Sequence, residues 1–301
     1  MSSTGMSLAE HIDELRIRTI HVVICIAIIT IFSMSFGIKP VVLPLPLMLP
    51  SIDNAGQQNN NLTNIKLYYP YPDPFDNIAL QLTSFMKDTL LPSGVKLIQT
   101  APGQVFFAQI HISLLIGITC SLPVAIREIV GFVSPAFENR DRRMMTTEPK
   151  NEYRKKWLSG FNIIKIILPI FLLFIFGVIF SYLLVIPFTL NFLYKYGESI
   201  GAETFLTVND FITFVLQFVL GFGIAFQLPV IMYVLSLSGL TDSRFWQNNF
   251  RYAIIIITIF GAVITPDGSG VTMWFVALPM IALYAIGVVM IRRKEKNEMV
   301  I

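Results

Sequence analysis

Six long stretches of this sequence carry no Asp, Glu, Lys or Arg, and they restrict the fold more than any other feature. They cover residues 22–38, 105–126, 166–194, 211–241, 252–266 and 268–291. Charged residues make up only 14% of the chain, whereas a soluble domain carries about 25%. A helix of about 20 apolar residues crosses roughly 30 Å of hydrocarbon. The sequence therefore predicts an all-α integral membrane protein.

We predict six transmembrane helices in a single polytopic membrane domain that covers residues 1–301. Their approximate boundaries are 17–38, 105–126, 166–187, 211–238, 252–265 and 271–291. The first helix is followed by no small-residue cleavage site, so we interpret it as a retained anchor and not as a signal peptide. The long connection 37–104 carries apolar residues at helical spacing, which predicts an amphipathic helix. These residues are Phe75, Ile78, Ala79, Leu82, Phe85 and Met86.

The last two apolar stretches are separated only by the segment TPDGSG at 265–270. A helix over the 15 uncharged residues before it would be about 22 Å long, which is short for a span. Proline, aspartate and glycine in this order are typical of a tight turn. We therefore predict a short hairpin of the fifth and sixth helices, with a single bent helix as the alternative.

The basic residues indicate the orientation of the chain in the membrane. With the amino terminus inside, 17 of the 22 Lys and Arg residues lie in cytoplasmic segments, most of them between 127 and 165 or after 291. The positive-inside rule then places both termini in the cytoplasm and makes 37–104 an extracytoplasmic loop. The basic loop 127–156 has no accompanying aromatic pattern or nucleic-acid motif, so we predict no nucleic-acid partner.

No motif in the sequence points to catalysis. It contains no H-E-x-x-H zinc site, no G-x-S-x-G elbow, no phosphate loop and no dinucleotide fingerprint. These absences do not exclude an enzyme, but they leave one without identifiable catalytic residues, and we predict no cofactor and no metal. A transporter of small solutes is the main rival function, but it would need ionisable groups deep in the apolar stretches. A membrane enzyme is a third alternative.

Carboxylates stand out at two points of this basic cytoplasmic side. The segment SLAE at 7–10 has the form of a capping box, so a helix should begin there and carry Glu14 towards the membrane. His11, Glu14 and Arg18 then share one face of that helix. A second acidic group, Glu138 and Asp141, follows the second predicted span.

Several short motifs resemble those of one membrane-protein family. The segment HIDELRIR at 11–18 matches the pattern H-L-x-E-L-R-x-R with one exchange, Ile12 for leucine. A second cytoplasmic pattern is matched by Pro123, Val124, Phe132, Pro135, Arg142 and Arg143. The third span matches its pattern through Phe174, Gly177, Phe180, Tyr182 and Pro187. The fourth matches G-F-G-x-x-F-[EQ]-x-P-V at 221–230, and TPD at 265–267 resembles the turn T-P-P-D. Together these segments resemble TatC, the core subunit of the twin-arginine translocase.

The sequence departs from the family pattern at particular positions. The glutamate of the second motif falls at Asp141, and its upstream glutamine falls at Glu128. The turn at 265–267 has one proline fewer, and additional residues lie between Arg143 and Phe174. These departures concern the loops and leave the resemblance of the spans intact.

The resemblance implies a multi-pass receptor, not an enzyme, in the cell (cytoplasmic) membrane. Members of the family bind twin-arginine signal peptides at the cytoplasmic face. They assemble with single-span TatA-type or TatB-type subunits, associate with themselves in a larger complex and export folded proteins with the proton motive force. Such a chain would have the lipid bilayer as its surroundings and would need no cofactor.

The resemblance also implies which residues carry these contacts. Glu14 and Asp141 would bind the paired arginines of the signal peptide, with Arg16 and Phe132 shaping the site. The paired arginines of the peptide suit such a site, because each guanidinium group can form two parallel hydrogen bonds to a carboxylate. The alternative for Glu14 is an ion pair with Arg18 within its own helix. Gln227 would dock a partner helix, or else bond within its own bundle.

Overall fold

Apolar helices form most of the chain. The computed structural model describes residues 8–45, 63–92, 94–144, 160–202, 204–237, 241–265 and 268–298. Within these ranges the helices are α1 Leu8–Ser35, α2 Ile78–Leu90, α3 Gln104–Met144, α4 Gly160–Phe180, α5 Ile186–Glu198, α6 Val208–Ala225, α7 Leu228–Leu237, α8 Ser243–Asn248, α9 Phe250–Ile264 and α10 Gly270–Glu298. The strands are β1 Phe36–Leu45, β2 Thr63–Pro72, β3 Lys96–Ile98 and β4 Phe205–Thr207.

Within the described residues, five helical segments are long and apolar enough to cross a membrane. They are Ile12–Ser35, Gln104–Ile129, Ile167–Glu198, Val208–Ser236 and Gly270–Lys296. Each overlaps one of the predicted spans. The sixth, α9, is apolar but has only 15 residues. Its crossing of the membrane, and the orientation of the termini, stay predictions.

The helix α6 lies at the centre of the bundle. Half of the residues in its most apolar window are buried, compared with 6% for α1. Its aromatic side chains Phe211, Phe218 and Phe222 are completely buried, and α6 packs against α3, α4 and α9. By contrast, α1 packs mainly along α3. The buried phenylalanines of α6 therefore belong to the hydrophobic core of the bundle.

Small residues let the helices approach closely. A Cβ atom added to Gly177 of α4 would lie 2.7 Å from the carbonyl oxygen of Phe222 on α6. A Cβ atom added to Gly223 would lie 2.4 Å from the buried ring of Phe174. Close backbone approach of this kind is how helices associate in lipid, where the hydrophobic effect between them is weak. The glycines of the third and fourth motifs are therefore packing positions.

Two of the predicted spans are interrupted or extended. A π-helical turn, Ser181–Val185, joins α4 to α5, so this helical segment continues to Glu198. The predicted span 211–238 consists of two helices, α6 and α7, separated at 226–227. Pro229 has no N–H group to continue the hydrogen-bond ladder across this point. The break follows from that proline.

The connection between α1 and α3 contains strands that the sequence pattern did not predict. Strands β1 and β2 form an antiparallel hairpin in which Phe36 pairs with Pro72 and Val42 with Lys66. Strands β3 and β4 form a short parallel pair. The all-α description is therefore incomplete. The predicted amphipathic helix is present as α2, with Ala79 and Met86 buried, but the side chain of Phe75 lies before it and is 90% exposed.

A hydrogen-bond network fixes the base of this hairpin on α2. The amide of Gln81 donates to the carbonyl oxygen of Ile38 at 3.2 Å and to Oδ1 of Asp76 at 3.1 Å. The hydroxyl of Tyr71 donates to Asp76. The hydrogen bonds from Tyr71 and Gln81 lower the pKa of Asp76. Partial burial, together with the bond to Asp76, raises the pKa of Tyr71 to about 12.

Helices α9 and α10 form the predicted hairpin, and a single bent helix is excluded. The two helices are separate and pack against each other. A Cβ atom on Gly261 would lie 3.1 Å from the carbonyl oxygen of Met273. Pro266 and Asp267 of the predicted turn lie outside the described residues.

Candidate functional site

A cluster of charged groups lies where the amino-terminal half of α1 meets α3. The guanidinium of Arg18 donates to Oε1 of Glu14 from Nε at 3.2 Å and from Nη2 at 2.5 Å. This ion pair links positions i and i+4 of α1. The sequence analysis gave this pair as the alternative for Glu14, and the pair is present.

The same guanidinium also reaches α3. Its Nη1 donates to the carbonyl oxygen of Glu128 at 3.1 Å and to Oε2 of the same residue at 3.4 Å. His21 Nδ1 lies 3.7 Å from Glu128 Oε1. The side chains of Arg18, Glu14 and Glu128 are 25%, 27% and 15% exposed. One arginine therefore bridges two half-buried carboxylates from two helices.

The antiparallel packing of α1 on α3 brings these residues together. Further along the two helices, Gly117 of α3 lies so close to α1 that an added Cβ would be 2.4 Å from Thr30 Oγ1. Thr30 is 12 residues after Arg18, and Gly117 is 11 residues before Glu128. Two helices in contact along this length keep Arg18 opposite Glu128. The glycine contact thus sets the register of the charged cluster.

The Glu14 carboxylate has acceptor capacity left over. Its Oε2 is buried and accepts no hydrogen bond from the described residues. An ionised carboxylate offers about four lone-pair sites, and a guanidinium offers five N–H donors in a fixed fork. Glu14 therefore has one unused, buried acceptor within the cluster.

The other predicted site residues lie near this cluster in the chain. Arg16 is exposed on α1. Phe132 and Asp141 belong to α3 and follow Glu128 on the same continuous helix. Asp141 is 13 residues after Glu128, which is roughly 20 Å along a helix axis. The side chains of Phe132 and Asp141 lie outside the described part of the structure. Of the four residues predicted for signal-peptide binding, only Glu14 and Arg16 therefore have described side chains.

Gln227 lies at the break between α6 and α7 and is half-buried. Its Nε2 donates to the carbonyl oxygen of Ile170 on α4 at 3.2 Å. Its Oε1 is buried and has no partner among the described residues. The side chain therefore bonds partly within its own bundle, and one acceptor is left unused.

A family model described as Sec-independent protein translocase protein (TatC) matches residues 10–279. The chain belongs to the TatC family. TatC proteins act in protein transport as components of a translocase and are not an enzyme family. The chain is accordingly a multi-pass membrane protein with several apolar helices.

Relatives of the TatC family match between 70% and 97% of the chain. The Sec-independent protein translocase protein TatC of Cenarchaeum symbiosum (strain A) is 45% identical over 293 residues, which cover 97% of each chain. The protein of the same name from Aquifex aeolicus (strain VF5) is 32% identical, over 70% of this chain and 80% of that one.

Two solved structures are similar to this chain, both of a twin arginine translocase receptor TatC. One has a TM-score of 0.65 and 25% identity and covers 93% of this chain and 96% of that one. The other, in DDM, has a TM-score of 0.66 and 26% identity and covers 94% and 99%. The fold described above is therefore the TatC fold.

Sequence reasoning missed Glu128 as part of the cluster. It noted this residue only as a departure from the TatC motif, which has glutamine there. A usable signal was present, because Glu128 is a carboxylate two residues after an apolar stretch in a strongly basic segment.

No group of three or more His, Cys, Asp or Glu residues in the described ranges could hold a metal ion.

Proposed function

We propose that this chain is the signal-peptide receptor of a twin-arginine translocase and binds the paired arginines of signal peptides at its cytoplasmic face. The observation that carries this proposal is the environment of Arg18. Carboxylates from two helices, Glu14 of α1 and Glu128 of α3, already bind its guanidinium. A ligand guanidinium needs the same partners. Membership of the TatC family supports the same conclusion.

The proposed site consists of Glu14 and Asp141 as acceptors, with Arg16 and Phe132 beside them. A charge-assisted bond from a guanidinium to a carboxylate is shorter and stronger than a neutral hydrogen bond. The partial burial of Glu14 excludes some of the water that would compete for it. Glu14 belongs to α1 and Asp141 to α3, so the two proposed acceptors come from different helices.

The affinity of the purified chain for a fluorescent twin-arginine signal peptide tests this function. Exchange of both peptide arginines for lysines should weaken binding about tenfold or more. The reason is that lysine keeps the charge but loses the planar fork, and charge-assisted hydrogen bonds contribute about 1.5–3 kcal/mol. Fluorescence anisotropy in nanodiscs gives both affinities. Equal affinity for the two peptides would contradict the proposal.

The proposed orientation places both termini and 127–165 in the cytoplasm of a cell with this chain in its cytoplasmic membrane. It places β1, β2 and α2 outside. The uneven distribution of basic residues supports this orientation. It puts the charged cluster on the side where precursors are synthesised.

Cysteine labelling in intact cells checks the orientation. In a Cys25→Ala, Cys120→Ala background, Ser84→Cys on α2 should react with an impermeant thiol reagent, because Ser84 is exposed. Gln247→Cys on α8, also exposed, should react only after the cells are broken. The reverse labelling pattern would overturn the topology.

We further propose that single-span TatA-type or TatB-type subunits dock beside Gln227, that several copies of the chain associate in the complex, and that transport of folded proteins uses the proton motive force. The half-buried position of Gln227 at the break between α6 and α7 supports the docking position. Its Oε1 has no hydrogen-bond partner among the described residues, and an unpaired buried acceptor is costly. This atom is enclosed by the chain, so docking would require the side chain to turn outward towards a polar group on the partner helix.

Gln227→Leu should weaken recovery of single-span partners while leaving signal-peptide binding unchanged. The effect should be modest, because hydrogen bonds between membrane helices average about 0.6 kcal/mol. Co-purification of partner subunits measures it, and crosslinking from position 227 locates the contact. Ser236→Ala, a buried polar position on α7, serves as the control. Crosslinks from 227 confined to this chain, with normal partner recovery, would favour a purely internal role.

A further inference from the structure

Arg18 resembles, in its own contacts, the ligand that the proposed receptor would bind. Its guanidinium forms two hydrogen bonds to Glu14 and two to Glu128. It therefore occupies one of the carboxylates assigned to the signal peptide. A peptide arginine can engage Oε1 of Glu14 fully only if Arg18 gives up that position.

We propose that Arg18 is an internal competitor of the signal peptide, and that Glu128 keeps Arg18 in place when a peptide arginine takes Glu14. This inference rests on the proposed function of the cluster. It makes Glu128 a positioning residue that acts through Arg18 and not through contact with the ligand. The class of ligand is a guanidinium carried by a peptide.

The division of donors within the guanidinium supports this exchange. Nε and Nη2 point to Glu14, whereas Nη1 alone serves Glu128. Loss of Glu14 therefore leaves the contacts of Nη1 intact, including its 3.1 Å bond to the carbonyl oxygen of Glu128. The displaced guanidinium would still have a carboxylate partner beside it. An unpaired charge in a half-buried site would otherwise oppose the exchange.

The second oxygen of Glu14 is not open to a ligand while the cluster keeps this geometry. Oε2 of Glu14 is buried and accepts no hydrogen bond from the described residues, although the side chain as a whole is 27% exposed. A peptide guanidinium therefore reaches Glu14 only when the carboxylate turns or Arg18 moves aside. This makes the position of Arg18 decisive for access to Glu14.

A carboxylate at position 128 can compensate the charge of Arg18, which an amide could not. The TatC motif carries glutamine at this position, and this chain carries glutamate. A glutamine oxygen could accept from Arg18 but would not compensate its charge. The carboxylate of Glu128, 15% exposed, attracts Arg18 away from Glu14. Its identity therefore adjusts how strongly Arg18 competes.

A double-mutant cycle with a twin-arginine signal peptide tests the proposal on the full chain in nanodiscs. Arg18→Gln should bind the peptide roughly three- to tenfold more tightly, because a partly exposed charged pair no longer competes. Glu128→Gln should bind more weakly by roughly the same factor, because Arg18 then depends on Glu14. In the Arg18→Gln background, Glu128→Gln should change nothing. All variants are compared at one pH, since His21 also lies beside Glu128.

Control variants separate competition from general effects. Arg244→Gln removes the same charge from an exposed position on α8, and it should leave the affinity unchanged. Arg18→Lys keeps the charge without the fork and should fall between Arg18→Gln and the native chain. This variant also provides the answer if Arg18→Gln does not fold. Thermal unfolding of each variant shows whether α1 and α3 still pack.

The outcomes are distinguishable from failure of the receptor function itself. If the native chain does not prefer the twin-arginine peptide to its twin-lysine version, the proposed function fails. If the native chain shows that preference but Arg18→Gln and Arg18→Lys bind no more tightly than native, the competitor role is wrong. If Glu128→Gln weakens binding equally with and without Arg18, Glu128 contacts the peptide directly and is not a positioning residue.

Discussion

Gly177→Ala is expected to destabilise the helix bundle by about 1–3 kcal/mol, although alanine is the better helix former. The added Cβ would lie 2.7 Å from the carbonyl oxygen of Phe222, which is backbone and cannot rotate away. It would also lie 2.9 Å from Cγ of Phe226. Helices α4 and α6 must therefore separate. Thermal unfolding of the purified chain in detergent measures the loss, and Gly177→Val should exceed it.

Gly197→Ala is the matched control for this substitution. Gly197 also lies in a helix, α5, but an added Cβ would be 3.4 Å from Thr204 Oγ1, at the end of a side chain. The gain in helix propensity should then dominate and leave the chain equally stable or slightly more stable. Equal losses at both positions would show that the α4–α6 contact is looser than described.

Glu14→Gln and Asp141→Asn should each weaken binding of a twin-arginine signal peptide. Loss of one charge-assisted hydrogen bond costs about 1.5–3 kcal/mol, which corresponds to about 10- to 150-fold in affinity. The effect at Glu14 should lie at the lower end, since Arg18 already holds one of its oxygens. Titration of the labelled peptide against each purified variant gives the ratio.

Asp13→Asn removes the same charge one residue away and provides the control. Asp13 is exposed on α1, so its carboxylate contributes mainly to the long-range field, which salt screens. Its loss should change the affinity little. If Asp13→Asn and Glu14→Gln weaken binding equally, general attraction to the acidic helix end explains recognition, and a specific carboxylate contact does not.

Local pattern was enough to predict the helices of this chain, because their apolar stretches are continuous along the sequence. The predicted spans 105–126 and 271–291 lie inside α3 and α10. The pairing of β1 with β2 escaped because it joins residues such as Phe36 and Pro72 across a long connection. Two prolines in each strand also argued against a sheet, because proline cannot donate a hydrogen bond to the neighbouring strand. The break before α7 was also missed, although Pro229 was a visible cause.

The candidate site shows the same division between local and distant information. The pair of Glu14 and Arg18 follows from helical spacing, and it was foreseen as an alternative. The contact of Arg18 with Glu128 joins positions 110 residues apart. It depends on the register of α1 on α3, which the approach of Gly117 to Thr30 sets. The sequence pattern within each helix does not show how the two helices are aligned against each other.

The low burial of α1 also bears on how the molecule should respond to force. This helix is the least buried of the long apolar segments in the described residues, and its contacts are concentrated on α3. A load applied at the amino terminus would therefore be resisted chiefly along one seam, with the Arg18 bridge near its pulled end and the Gly117 contact further along. We expect α1 to separate from α3 under such a load before the core around α6 opens.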